Sequence, residues 1–356
     1  EVRKLGRTMK QRAADILDAI EPVMPHDAPA LIHGDRVITW PEMARRSNNI
    51  ARALRARGAG PGAKVAFYMR NRPEYGELMA ACFKGRLTHV NINYRYRPDE
   101  VFYIFDDSDS EVVVYSAEFR ACIEELHGRL GKVHTFVEIG PEAERASFAL
   151  PYEALAREGD GAPLGIARSP DDELFIYTGG TTGFPKGVVW RQEDIWRVLG
   201  GGISFYTGER VTDEWQQARD GAAGGQLVRF PIPPFIHGGS QWAVFQELFV
   251  GGKAVIYPEF GAHRTWQIIE RHKVNVVFIT GDAMGRPMIE ALGEKNDHDL
   301  SSLITVASSE PIVPCSRLGG SVNDVADQNT SSLWSGSVSS TEIVARPGNP
   351  AISTGD

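Results

Sequence analysis

Residues 174–190 read LFIYTGGTTGFPKGVVW, and the order of these residues governs how the rest of the chain is read. Leu174–Tyr177 is a short apolar run of strand type, and Val188–Trp190 is a second. Between them, three threonines (Thr178, Thr181, Thr182) and three glycines (Gly179, Gly180, Gly183) fall within six residues, followed by Phe184, Pro185, Lys186 and Gly187. Glycines permit positive φ and let successive N–H groups approach a ligand closely. The threonines add hydroxyl donors and Lys186 a point charge, so the segment suits a polyphosphate cradle. It differs from the loop of P-loop ATPases, which needs Gly-Lys-Ser/Thr with a helix directly after. Here Pro185 precedes Lys186 and the chain resumes as a strand. A merely flexible hairpin is the bland alternative, disfavoured by the particular Thr-Thr-Gly-x-Pro-Lys-Gly order.

Working outward, strands and helices alternate. Residues 8–24 carry apolar positions at helical spacing (Met9, Ala13, Ile16, Leu17, Ile20). Residues 30–32 and 37–39 form a strand pair about the turn His33-Gly34-Asp35. Thr39 with Glu42 makes a capping box that opens a helix through about Arg57, ended by Gly58 and Gly60. A buried strand at 64–68, a helix near 73–84, a strand at 88–92, a helix over 97–107 and a strand at 111–115 follow. Residues 139–170, rich in Glu, Ala, Gly and Pro, read as a surface connection. A second alternating set has strands at 174–177, 228–232, 254–257 and 274–280, with helices at 239–250 and 264–272. The pattern predicts an α/β protein of two mostly parallel βα layers, divided at residues 1–170 and 171–356.

Composition narrows the function. A chain of 356 residues exceeds the usual single core, so more than one subdomain is expected. A net charge of −8 and no Lys/Arg-dense block argue against a nucleic-acid surface. Cys82, Cys122 and Cys315 lack CxxC spacing and read as reduced small hydrophobes. No apolar run reaches ~18 residues, so no transmembrane segment is predicted. The first residues lack the apolar core of a secretory signal, and the expected compartment is cytoplasmic.

The segment 178–187 resembles the phosphate-binding signature of the adenylate-forming (AMP-binding) superfamily, which includes acyl-CoA synthetases, firefly luciferase and nonribosomal peptide adenylation domains. Further segments extend the resemblance over roughly residues 10–310: Ile38–Glu42, Lys84–Tyr96, Pro233–Trp242, Gly281–Met284 and Ser308–Ile312. Residues 84–96 and 233–242 have an acyl-CoA-synthetase flavour. The fold so implied is the large N-terminal domain of the adenylate-forming enzymes, two stacked mostly parallel βα subdomains. The small C-terminal domain of that fold, with the lysine that completes the adenylation site, is expected to be absent from these 356 residues. On that reading the chain alone would adenylate slowly and make thioester poorly.

The resemblance also implies a chemistry. A carboxylate attacks the α-phosphate of ATP, pyrophosphate leaves, and coenzyme A displaces AMP from the acyl-AMP. Thr178, Gly179, Gly180, Thr181, Thr182, Gly183 and Lys186 would hold the β- and γ-phosphates, with Thr182 and Lys186 placed among the catalytic residues. Ser309, Glu310 and Pro311 would lie along the adenine ring. Thr341 would meet the α-phosphate, and Glu342 would hold Mg²⁺. The match there is partial, since Val338 and Ser339 stand where an aromatic and a glycine are usual, and Ser-Thr-Glu is also a common surface tripeptide. Asp356, only fourteen positions beyond Glu342, is either the ribose-binding aspartate or an accidental Thr-Gly-Asp. Residues 315–340, polar and poor in apolar periodicity, suit a loop.

His237 either borders the carboxylate end of the acyl pocket or is a packing histidine. Trp242 and Met284 are pocket wall or core. The partners expected are a small-molecule carboxylic acid of fatty or sterol type, ATP and coenzyme A, with a homodimer as candidate assembly. Two alternatives stand beside this reading. Amino-acid or aryl-acid adenylation would want an acidic pocket residue, for which Asp282 is available, and a nucleotide-binding remnant would bind ATP without turnover.

Overall fold

In the computed structural model, residues 13–179, 184–198, 214–223, 226–294 and 297–308 of the 356 are described. The apolar stripe near the start gives α1 (Ala13–Ile20), with Ile16, Leu17 and Ile20 fully buried. β1 (Pro29–His33) and β2 (Arg36–Thr39) pair antiparallel about Gly34, whose φ of +61° favours glycine. Thr39 then caps α2 (Trp40–Ala56), its hydroxyl accepting the Glu42 N–H at 3.3 Å, and the chain leaves that helix through Gly58 at φ +102°. β3 (Lys64–Tyr68), α3 (Pro73–Gly85), β4 (Thr88–Asn91), α4 (Pro98–Asp107) and β5 (Ser110–Ser116) follow where the alternation placed them.

Next come α5 (Arg120–His127) and β6 (Thr135–Ile139), in a stretch where the sequence reading named no element. The expected surface connection over 139–170 also needs correction. It contains β7 (Leu150–Pro151) and α6 (Tyr152–Arg157), and α6 buries Tyr152, Leu155 and Ala156. Three buried apolar residues in a six-residue helix give too short a period to stand out from Glu/Ala/Gly composition. The chain continues through β8 (Glu173–Thr178), β9 (Lys186–Arg191), α7 (Gln192–Val198), α8 (Glu214–Ala223) and β10 (Val228–Pro231). It goes on with α9 (Gly238–Leu248), β11 (Lys253–Val255), α10 (Ala262–His272), β12 (Val276–Ile279), α11 (Gly281–Glu294) and β13 (Thr305–Ser308).

The chain divides into two compact units, one from residues 1–226 and 234–258, the other from 227–233 and 259–356. In the first, seven strands line up as β7-β6-β5-β3-β4-β8-β9. All neighbours are parallel except the hairpin β8–β9. Strand β4 is buried along its whole length and β3 nearly so, as parallel strands covered on both faces must be. A smaller ladder in the same unit pairs β1 with β2 and, in parallel, with β11. In the second unit β10, β12 and β13 run parallel, and α10 packs with α11.

Helix α3 is the centre of the first unit, because every residue from Pro73 to Gly85 is buried. Its three charges are each compensated. Glu74 accepts from Arg36 at 2.6 Å and Arg72 at 2.8 Å. Glu77 accepts from Arg46 at 2.7 and 3.0 Å and from the Tyr152 hydroxyl at 2.5 Å. Lys84 donates to both oxygens of Glu21, at 2.6 and 2.8 Å. Burial pushes the Glu77 and Glu21 carboxyls up, opposed by Arg46 and Lys84 respectively. For Glu74 burial also acts upward, but Arg72 and Arg36 together win and hold it at about 2.

Two outcomes follow from these pairs. Glu77→Ala leaves the 4%-exposed Arg46 side chain with only Glu153 to neutralise it, and urea unfolding should show a loss of about 3 kcal/mol. The Glu74 carboxyl is depressed from an ordinary 4.5, so its pairs stabilise above that pH and the contribution fades as pH falls towards 2. The stability gap between the parent chain and Glu74→Gln should therefore be full at pH 7 and shrink progressively by pH 3.

Candidate adenylate-forming site

The Gly/Thr segment sits between β8 and β9, as its flanking apolar runs required. Register places Thr178 directly opposite Lys186 and Tyr177 opposite Gly187. Thr178, Gly179 and Lys186 are exposed at the open end of this hairpin, whereas Ile176 and Tyr177 are buried beneath it. One threonine hydroxyl and one ammonium thus face solvent as cross-strand neighbours, a pairing of donor and cation suited to anionic oxygens. Gly180, Thr181, Thr182 and Gly183 lie outside the described residues.

Gly179, the one described glycine of the three expected to permit positive φ, does not take it. Gly187 instead serves close approach. A Cβ there would stand 2.9 Å from the Tyr177 ring, which lies across it from the neighbouring strand. Tyr177 donates to Asp107 at 2.6 Å, and burial, reinforced by that carboxylate, pushes its phenol well above the ordinary range. On the far side of the hairpin, Phe184 is 66% exposed yet stacks on Tyr103 of α4 with centroids 4.6 Å apart. Helix α4 therefore braces both flanks of the segment.

The second sequence-predicted element, around His237, is held beside the first. His237 is the exposed N-cap residue of α9, with extended backbone (φ −100°, ψ 131°) and no capping bond from its imidazole. The residues just before it are pinned by four buried side chains. Asn71 accepts the Phe235 N–H at 2.6 Å, and Tyr75 donates to the Phe235 carbonyl at 3.2 Å. Gln241 donates to that same carbonyl at 2.6 Å and to the Tyr75 hydroxyl at 3.0 Å. Asn91 donates to the Ile236 carbonyl at 2.7 Å. Gly238, next along, packs near Ile176 of β8.

His89 completes this network, its Nε2 2.8 Å from the Tyr75 hydroxyl and its ring edge-on to Phe67. Complete burial drives its pKa down to about 3, so it is neutral at any ordinary pH. It acts as a polar core residue and not as a titrating acid or base.

The sequence reading missed Asn71, Tyr75, His89, Asn91 and Gln241. A signal was present in residues 88–93, where polar Thr, His and Asn occupy a run that folds as an interior strand. Polar side chains inside a doubly covered parallel strand must have partners, so such a run marks buried polar work.

Trp242 is partly buried against the apolar core and packs edge-on against Trp190 of β9, with centroids 4.7 Å apart. In the second unit, two further motif segments meet. The Gly281 N–H donates to the Ser308 hydroxyl at 2.9 Å, joining the start of α11 to the end of β13. Met284 is half-buried on α11, and Asp282 lies in its first turn with Arg286 3.6 Å away. Ser309, Glu310, Pro311, Cys315, Thr341, Glu342 and Asp356 lie outside the described residues. Among the described residues no three His, Cys, Asp or Glu side chains gather into a metal-holding group.

Residues 21–318 match the profile of the AMP-binding enzyme family. The chain belongs to this family. It is 46% identical over 309 residues to a 3-oxocholest-4-en-26-oate–CoA ligase of Rhodococcus rhodochrous, covering 85% of this chain and 56% of that protein. It is 41% identical over 303 residues to a medium/long-chain-fatty-acid–CoA/3-oxocholest-4-en-26-oate–CoA ligase of Mycobacterium marinum, covering 83% and 55%. The chain thus spans about half the length of the curated relatives it matches. Among solved structures, a Mycobacterium tuberculosis fatty acyl CoA synthetase superposes with TM-score 0.72 at 21% identity, over 90% of this chain and 58% of that one. A long-chain-fatty-acid-CoA ligase of Archaeoglobus fulgidus gives 0.70 at 19%, over 86% and 59%. These likenesses show the fold, the α/β architecture expected of the large domain of adenylate-forming enzymes.

Gly187→Ala tests the geometry of the β8–β9 hairpin. The added methyl would force the Tyr177 ring off its strand partner, and a loss of about 1–3 kcal/mol is expected in thermal or urea unfolding. Near-ultraviolet circular dichroism should report the displaced tyrosine.

Proposed function

We propose that this chain binds ATP and a carboxylic acid and joins them as acyl-AMP, on the way to an acyl-CoA thioester. The observation that carries the reading is the cross-strand pair Thr178–Lys186 at the open end of the hairpin, beside the tethered segment that ends in His237. In the proposed reaction a carboxylate oxygen bonds to the α-phosphorus while the bond from that phosphorus to the bridging oxygen breaks, and pyrophosphate leaves. The coenzyme A thiol then bonds to the acyl carbon, AMP departs, and the thiol proton is lost to solvent. Transfer at phosphorus leaves the protein chiefly a task of positioning and charge stabilisation.

In this reading Thr178, the residues 179–183 and Lys186 hold the departing phosphates, and His237 borders the carboxylate. Ser309, Glu310 and Pro311 lie along the adenine, Thr341 meets the α-phosphate, and Asp356 the ribose. Mg²⁺, held by Glu342, would neutralise phosphate charge when bound. A fatty or sterol-type acid is favoured by the named activities of the relatives at 46% and 41% identity. Asp282, with Arg286 as a charged neighbour on its own helix, is less suited to receive a substrate amine.

Pyrophosphate release should depend on ATP, magnesium and a fatty or sterol carboxylate, and Lys186→Ala should lower it about 100-fold. ATP binding without release for any acid would instead mark a nucleotide-binding remnant.

A further inference from the structure

We infer that Asn91 is the positioning residue that sets the spacing between the phosphate hairpin and the His237 segment; its catalytic consequence rests on the function proposed above. Asn91 ends β4, is 1% exposed, and lies in a sheet where β4 pairs β8 through Val90 and Phe175. Beyond that pair its carboxamide continues the ladder in place of backbone. The side-chain oxygen accepts the Tyr177 N–H at 2.6 Å, and the amide nitrogen donates to the Tyr177 carbonyl at 3.0 Å. The second amide hydrogen reaches the Ile236 carbonyl at 2.7 Å. A primary amide has two donors, and here both are committed, one to each segment.

The two anchored residues directly precede the two functional positions. Tyr177 is followed by Thr178, and Ile236 by His237. One planar group therefore fixes both backbones at adjacent points, without touching any group that would meet substrate. The other buried ties divide differently. Asn71, Tyr75 and Gln241 each bond Phe235, on the His237 side. Replacing the amide by a carboxylate keeps the acceptor for the Tyr177 N–H but turns an oxygen against two carbonyls. Asn91→Asp should therefore loosen both segments together, whereas Asn71→Ala should loosen only the His237 side.

Two measurements test this. In hydrogen exchange on the ligand-free chain, Asn91→Asp should raise exchange about 10-fold in peptides 174–179 and 234–238, with peptide 64–68 unchanged. Asn71→Ala should raise it in 234–238 only. A rise in one segment alone for Asn91→Asp, or in neither, overturns the inference. In pyrophosphate release, Asn91→Asp should lower kcat about 100-fold while KM for ATP and for the acid each stay within about 3-fold. Unchanged kcat, or kcat and both KM values worsening together with the thermal midpoint, also overturns it. If Asn91→Asp does not fold, Asn91→Ser removes the amide without introducing charge and carries the same expectations. Should the parent chain release no pyrophosphate with any acid, it is the activity reading that fails, and the exchange data alone decide the role of Asn91.

Discussion

The first unit depends on keeping three ionised groups of one helix inside a dry core. Helix α3 is buried along all thirteen residues, yet it carries Glu74, Glu77 and Lys84. Each would be prohibitive alone, because an unpaired charge in the interior costs several kcal/mol. Each is met by a partner from a different part of the chain: Arg36 and Arg72, Arg46 with Tyr152, and Glu21 on the turn after α1. These pairs fix where α1, α2 and α6 sit around α3. Apolar packing fills the remainder, as at Gly76, where the Leu31 side chain lies 3.2 Å from a would-be Cβ.

That constraint reaches the site through Tyr75. Lying one residue after Glu74 on the same helix, Tyr75 projects its hydroxyl to His89, Gln241 and the Phe235 carbonyl. The segment before His237 is thus held by the helix whose charges organise the unit. Asn91 then joins that segment to the hairpin from the neighbouring strand. The exposed positions Thr178, Lys186 and His237 consequently stand on rigid backbone with buried polar support, the arrangement expected of a site that must place reacting groups and not merely contact them.

Membership of the AMP-binding enzyme family agrees with this layout. The residues that family resemblance assigns to adenine, α-phosphate, ribose and metal all fall after position 308, outside the described residues. What the described structure contributes is the hairpin that carries Thr178 and Lys186 and the tethered backbone before His237. A net charge of −8 is compatible with a local pairing of the Lys186 ammonium and the Thr178 hydroxyl suited to anionic oxygens.

The sequence by itself determined the order of elements through residue 116, the turn at Gly34, the Thr39 cap and the hairpin of 174–190. These are set by local periodicity, capping chemistry and glycine placement, which are written in adjacent residues. The same local order carried the family resemblance. Helix α6 and strand β6 were not legible, because their burial comes from surfaces supplied by distant parts of the chain, as Tyr152 reaching Glu77 shows. Gly187 was legible as a glycine but not for its reason, which is a tyrosine ring ten residues away on the paired strand. For Asn91 the polar run in an apolar strand signalled buried polar work but not which groups it would join. Its two partner residues lie 86 and 145 residues away, and only the tertiary fold brings two backbone segments within reach of one amide.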